Sequence, residues 1–264
     1  QQPCNGNGVS TGLIDPNTNI GEGGCAGIPT VIEFPSRDLV TKCNKAKDAY
    51  NNPQVTSKYE DLKTKTSAPK ESGFGFKRVT APDGTVSTET FILTPDTTSP
   101  DKVRINITPG TYGYAHTHLN KFDGNLAIKI HSPKDIDTFI ETLKSAKNNG
   151  IPLDGVFAGM IASDPDTQYN VYQLLYTGNG NDLPPAFSDA QLQGFKNEYK
   201  LAAQKINIET GEPLTHYELQ GLLYKILKKM NVKNVVLSKR EYSTGKFYIV
   251  EFDEYGNPSE KLCP

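Results

Sequence analysis

Histidine is scarce in this chain of 264 residues, and its placement is uneven. Only four are present, and three of them, His116, His118 and His131, fall within sixteen residues. The first two lie in Gly113-Tyr-Ala-His-Thr-His118, whose residue types suit a β-strand. Residues two apart on a strand share a face, so Tyr112, Tyr114, His116 and His118 line one side and both imidazoles can reach one metal ion. Next comes Ser132-Pro-Lys-Asp135, with an N-cap serine, a proline at the first helical position and an acid at the third. A carboxylate at that helix start is a natural third ligand to two histidines. Three protein ligands leave zinc an open fourth position, the arrangement of catalytic sites. Capping and the helix macrodipole also explain Asp135 on their own.

Other chemistry is thin. The chain has no phosphate loop, no dinucleotide fingerprint and no Cys-x-x-Cys pair. Its four cysteines, Cys4, Cys25, Cys43 and Cys263, lie near the two ends. In an exported chain they suit two disulfides, and the preferred pairing is Cys4 with Cys25 and Cys43 with Cys263, the second tying the start of the folded region to its end. Free thiols in a cytosolic protein are the alternative. The first residue is Gln1 and the only methionines are Met160 and Met230, which points to a removed signal peptide and a secreted or cell-surface protein. A net charge of −2 provides no general field for nucleic acid or an anionic membrane. No run of eighteen apolar residues exists, so no transmembrane segment is expected.

The elements that must position these residues read as a mixed α/β pattern. Residues 1–36 are an irregular leader rich in Gly, Asn and Pro. Two short helices follow Arg37, broken at Asn52-Pro53, and period-two alternation predicts strands over 72–79, 88–93, 103–107 and 112–118. After Ser132 the apolar residues Ile136, Phe139, Ile140 and Leu143 fall at i, i+3, i+4 and i+7 of a helix that ends at Asn148-Asn-Gly150. Two more strands span 155–162 and 169–176, and 177–185 reads as a linker. A C-terminal unit over 186–264 holds a helix from Ser188, a second from the capping box Thr215-His-Tyr-Glu218, and two strands over 235–239 and 246–252. The lysines between Lys225 and Lys246 read as the solvated face of that second helix.

In order, Glu71, His116-Thr-His118 and Ser132-Pro-Lys-Asp135 resemble the JAB/MPN, or JAMM, family of zinc metalloproteases. The phrases Cys43-Asn-Lys-Ala-Lys-Asp and Lys58-Tyr-Glu-Asp-Leu-Lys also resemble uncharacterised secreted bacterial proteins with a JAB-like core. The resemblance covers roughly residues 43–176 and implies an α+β core, spanning 37–178, of a mixed sheet flanked by helices. It implies zinc held by His116, His118 and Asp135, Glu71 as general base, and Ser132 helping to hold the oxyanion formed when water attacks an amide carbonyl. The chain departs from the family at Leu119, where proline is usual, and in the longer stretch of sixteen residues between His118 and Asp135. Asp123 and His131 in that stretch compete as metal ligands, and Glu60 and Glu89 compete with Glu71.

These readings converge on a secreted zinc metallopeptidase-like protein that hydrolyses a peptide or isopeptide bond in a peptide or protein substrate. One alternative is an inactive binding module on the same fold. The other is a cupin-type barrel, because Pro109-Gly110, His116-x-His118 and Asp123 resemble the first cupin metal motif; the amphipathic helix after Ser132 argues against it.

Overall fold

A computed structural model describes residues 35–96, 102–122, 125–163, 168–210 and 212–264. Cys4, Cys25, Asp123 and most of the expected leader lie outside the described residues. The first helical stretch divides where its sequence demands, into α1 (Arg37–Asn51) and α2 (Pro53–Lys63). Pro53 has no amide hydrogen to give α1, and the Asn52 side chain instead accepts from the Gln54 amide and caps α2. Strands β1 (Gly73–Thr80) and β2 (Val86–Ile92) form a hairpin, followed by a two-residue pair, β3 (Thr94–Pro95) with β4 (Val103–Arg104). Then come β5 (Thr111–Thr117), a second short pair of β6 (Lys121–Phe122) with β7 (Asn125–Leu126), and α3 (Pro133–Asn148). The chain continues with β8 (Phe157–Ser163), β9 (Tyr169–Tyr176), α4 (Asp189–Thr210), α5 (His216–Lys229), β10 (Val235–Glu241), β11 (Phe247–Phe252) and β12 (Pro258–Leu262).

Eight strands make one mixed sheet in the order β12-β11-β10-β9-β8-β5-β1-β2. Only β5 and β8 run parallel, joined by the α3 crossover that a parallel pair requires. The α+β class read from the sequence is the class observed. The sheet is open, with β12 and β2 as its edges, so it is not the barrel that the cupin alternative requires. Alternation along each strand divides the core. Tyr114, Ala158, Met160, Leu174 and Leu237 face α3, α4 and α5, while Ala115, Phe157, Ile161, Leu175 and Val236 face α1 and α2. Helix α3 buries Ile136, Phe139, Ile140 and Leu143 against the first of these faces, roughly 1.5–3 kcal/mol for each side chain.

The strands of the C-terminal segment extend the sheet of the preceding core rather than building a second one. β10 pairs with β9 over seven residues, and Arg37–Pro264 form one compact unit. Cys43 of α1 is bonded to Cys263 just after β12, with 5.5 Å between their Cα atoms. Several features differ from the sequence reading, the short strands β3, β6 and β7 among them. Residues 105–107 are not in a strand: Ile105 packs against the core, so the alternation there reports burial without pairing. β12 has no apolar pattern to announce it and is held by β11, with Glu260 accepting two bonds from Lys239 at 2.9 and 2.8 Å. Lys239 is therefore buried on a strand, whereas Lys225, Lys228 and Lys229 are exposed on α5 as the periodicity implies.

Candidate metal centre

β5 lies between β1 and β8, where both neighbours fix its backbone and therefore the direction of its side chains. Beyond its last residue the pairing continues, with the His118 amide donating to the Ile161 carbonyl at 2.9 Å. His116 and His118 thus point to the α3 side of the sheet. Their Nε2 atoms are 3.1 Å apart. Across β1, Gly73 is the register partner of His116, and a Cβ there would meet the Ala115 oxygen at 2.9 Å and the His116 Cβ at 3.0 Å. Glycine is what lets the two strands approach at the site.

The start of α3 brings the third group. Ser132 and Asp135 form a reciprocal capping box: the Ser132 amide donates to Asp135 Oδ2 at 2.7 Å, and the Asp135 amide donates to Ser132 Oγ at 3.3 Å. The cap leaves the carboxylate facing the histidines, with Oδ1 3.3 Å from His116 Nε2 and Oδ2 3.5 Å from His118 Nε2. Tyr114 pins this turn to β5 by donating to the Asp135 carbonyl at 2.7 Å, and Tyr199 of α4 donates to the Ile130 carbonyl at 2.9 Å. The long stretch between His118 and Asp135 also supports the site. Its Ile128 carbonyl lies 2.8 Å from His118 Nδ1 and accepts that N–H, which leaves the Nε2 lone pair for a metal.

Charge is strongly coupled here. Burial by itself raises the Asp135 pKa, but the neighbouring His116 and His118 outweigh it and hold the carboxyl well below the usual range. Burial lowers the His118 pKa, yet the Asp135 hydrogen bond and the charges of Glu71 and Asp135 reverse that and bring it up to about 9. His116 is almost fully buried, and Asp135 keeps 17% of its side chain exposed, so the centre opens to solvent on the helix side.

His116, His118 and Asp135 offer ligand atoms all within 4.8 Å of one another, and this buried group could hold a metal ion. Glu71 precedes β1 on the same face by alternation, is buried, and acts electrostatically on His118. Glu60 and Glu89 are both exposed, Glu60 on α2 and Glu89 on the edge strand β2. His131 is fully buried beside the centre, its ring 6.5 Å from that of His116, and does not join the ligand group. Three contributors escaped the sequence reading: the Ile128 carbonyl, Tyr199 and Gly73. Only the glycine left a trace, in Gly73-Phe-Gly-Phe76, where small and large residues alternate.

The fold and site together define an α/β protein with a buried His-His-Asp group at the end of a central strand. Comparison with protein-family models, curated proteins and solved structures finds no match to this chain.

Proposed function

We propose that this protein is a zinc-dependent hydrolase of peptide or isopeptide bonds, with a JAB-like site. The observation that carries the reading is the convergence of two Nε2 atoms and one carboxylate, from a strand and a helix start, within 4.8 Å. The donor set fits zinc: two imidazole nitrogens and one carboxylate oxygen, with one imidazole oriented by a backbone carbonyl. Zinc bound there supplies a Lewis acid that brings the pKa of a coordinated water to near 7.

The chain's own groups divide the remaining work. Glu71, buried on the His118 side, takes the proton of the attacking water and passes it to the leaving amine. The Ser132 hydroxyl accepts from the Asp135 amide, which leaves its hydrogen free to donate to the developing oxyanion. Asp135 holds its place through the capping box, so the ligand geometry is set by the same bonds that start α3. The Cys43–Cys263 bond adds the proposal that the protein works in an oxidising compartment, secreted or at the cell surface of a bacterium.

Metal analysis of the purified protein beside a His116→Ala, His118→Ala variant tests the centre. About one zinc per chain is expected in the first and none in the second. Equal content in the two would remove the site. Hydrolysis of a peptide library then tests the chemistry: Glu71→Gln should keep its zinc and lose about 10²- to 10⁴-fold in rate. A zinc-loaded wild type with no hydrolysis of any peptide or isopeptide would make the protein a binding module.

A further inference from the structure

His116 directs Nε2 at His118 Nε2 and at Asp135 Oδ1, 3.1 and 3.3 Å away, so its Nδ1 faces out of the ligand group. That Nδ1 is buried and has no hydrogen-bond partner. A ligating histidine ordinarily donates its second ring N–H to an acceptor, as His118 does to the Ile128 carbonyl, and this sets its tautomer and orientation. A candidate for that role beside His116 is His131. It is fully buried, with no hydrogen-bond partner of normal geometry at either ring nitrogen, and the Tyr172 backbone lies within reach of one of them.

The two rings have centroids 6.5 Å apart. Imidazoles joined by a direct N–H···N bond of about 2.9 Å have centroids about 5 Å apart, and one intervening water adds roughly 1–2 Å. The observed separation fits the second case. The His116 Nδ1 and one ring nitrogen of His131, both buried, supply two polar contacts of the kind a buried water requires.

We propose that His131 is the positioning residue of His116, accepting the His116 Nδ1–H through one buried water and so leaving the His116 Nε2 lone pair for a metal ion. The water accepts from His116 Nδ1–H and donates one hydrogen to a ring nitrogen of His131. A neutral His131 ring accepts at one nitrogen and donates at the other, where the Tyr172 backbone is the acceptor. The rival role, a fourth protein ligand, is disfavoured because the ligand atoms within 4.8 Å of one another come from His116, His118 and Asp135 alone among the described residues. In its effect on metal affinity the proposal rests on the metal reading above; in its effect on the His116 tautomer it does not.

Nitrogen-15 NMR of the metal-free full chain tests the tautomer directly. His116 protonated at Nδ1 is expected, and protonation at Nε2 would overturn the proposal even in a protein that binds no metal. Zinc titration then compares His131→Leu, which removes the acceptor, with His131→Gln, which keeps one. The leucine variant should bind about 10- to 100-fold more weakly, with most of the loss recovered by glutamine. Wild-type affinity in His131→Leu, or equal loss in both variants, would overturn it. X-ray absorption of the zinc-loaded wild type should count two histidines; three, falling to two in His131→Gln, would make His131 a ligand and refute the positioning role. Absence of zinc uptake by the wild type would defeat the metal reading and leave the NMR result to decide on His131.

Discussion

Asp135 serves local and tertiary structure with one carboxylate. Oδ2 accepts the Ser132 amide and caps α3, and Oδ1 faces His116, so the cap and a position from which the carboxylate could ligate, alternatives in the sequence, coexist in the fold. The same coupling makes stability pH-dependent. In the metal-free protein the His118 pKa stands at about 9 against an ordinary 6.5, the Asp135 hydrogen bond and the Glu71 and Asp135 charges having overcome its burial. Its contribution to stability is complete below pH 6.5 and is lost as the pH rises through about 9. His131 has the opposite sign: with its pKa lowered to about 3, chiefly by burial, its contribution is present above pH 6.5 and is lost as the pH falls toward 3. Urea unfolding of metal-free protein should therefore show greatest stability at about pH 6–7 and a decline on both sides. A flat profile from pH 6.5 to 9.5 would contradict the environment assigned to His118. Zinc binding at pH 7.5 should release a proton, because the imidazolium must give up its hydrogen to become a ligand.

At the scale of elements, the site is the meeting of a central strand with a capped helix. The crossover β5-α3-β8 places the end of β5 under the N-terminus of α3, and Tyr114 and Tyr199 hold that turn from β5 and α4. Neither the Ile128 carbonyl nor the Tyr199 contact is legible in the sequence. Backbone carbonyls have no residue code, and Tyr199 meets a residue 69 positions away. The close approach of β1 to β5 can be tested at Gly73. In Gly73→Ala the new methyl lacks room against the Ala115 oxygen and the His116 Cβ. A cost of about 1–3 kcal/mol in denaturant unfolding is expected, with weaker zinc binding as β1 moves away from β5. Unchanged metal affinity in that variant would mean that the strand spacing does not position His116.

Across the whole molecule, the Cys43–Cys263 bond closes 220 residues of chain and ties α1 to the end of the last strand. A loop of that length should contribute roughly 2–5 kcal/mol through the unfolded state. The double variant Cys43→Ser, Cys263→Ser should unfold at correspondingly lower denaturant, with its zinc content unaltered because the bond lies on the α1 side of the sheet, away from the ligand face. Among the described residues no helix is long and apolar enough to cross a membrane. What could be read from sequence alone was whatever is local or periodic: the helix breaks, the capping boxes at Ser132 and Thr215, the two-residue repeat that puts His116 and His118 on one face, and the α+β class. Tertiary structure alone decided which glutamate is buried and acts electrostatically on His118, that His131 sits beside the candidate ligand group and not within it, that residues 105–107 pack without pairing, and that β12 completes the sheet. The division has a physical cause: periodicity and capping act between residues a few positions apart, whereas burial and ligand convergence are properties of surfaces that meet only once the chain has folded.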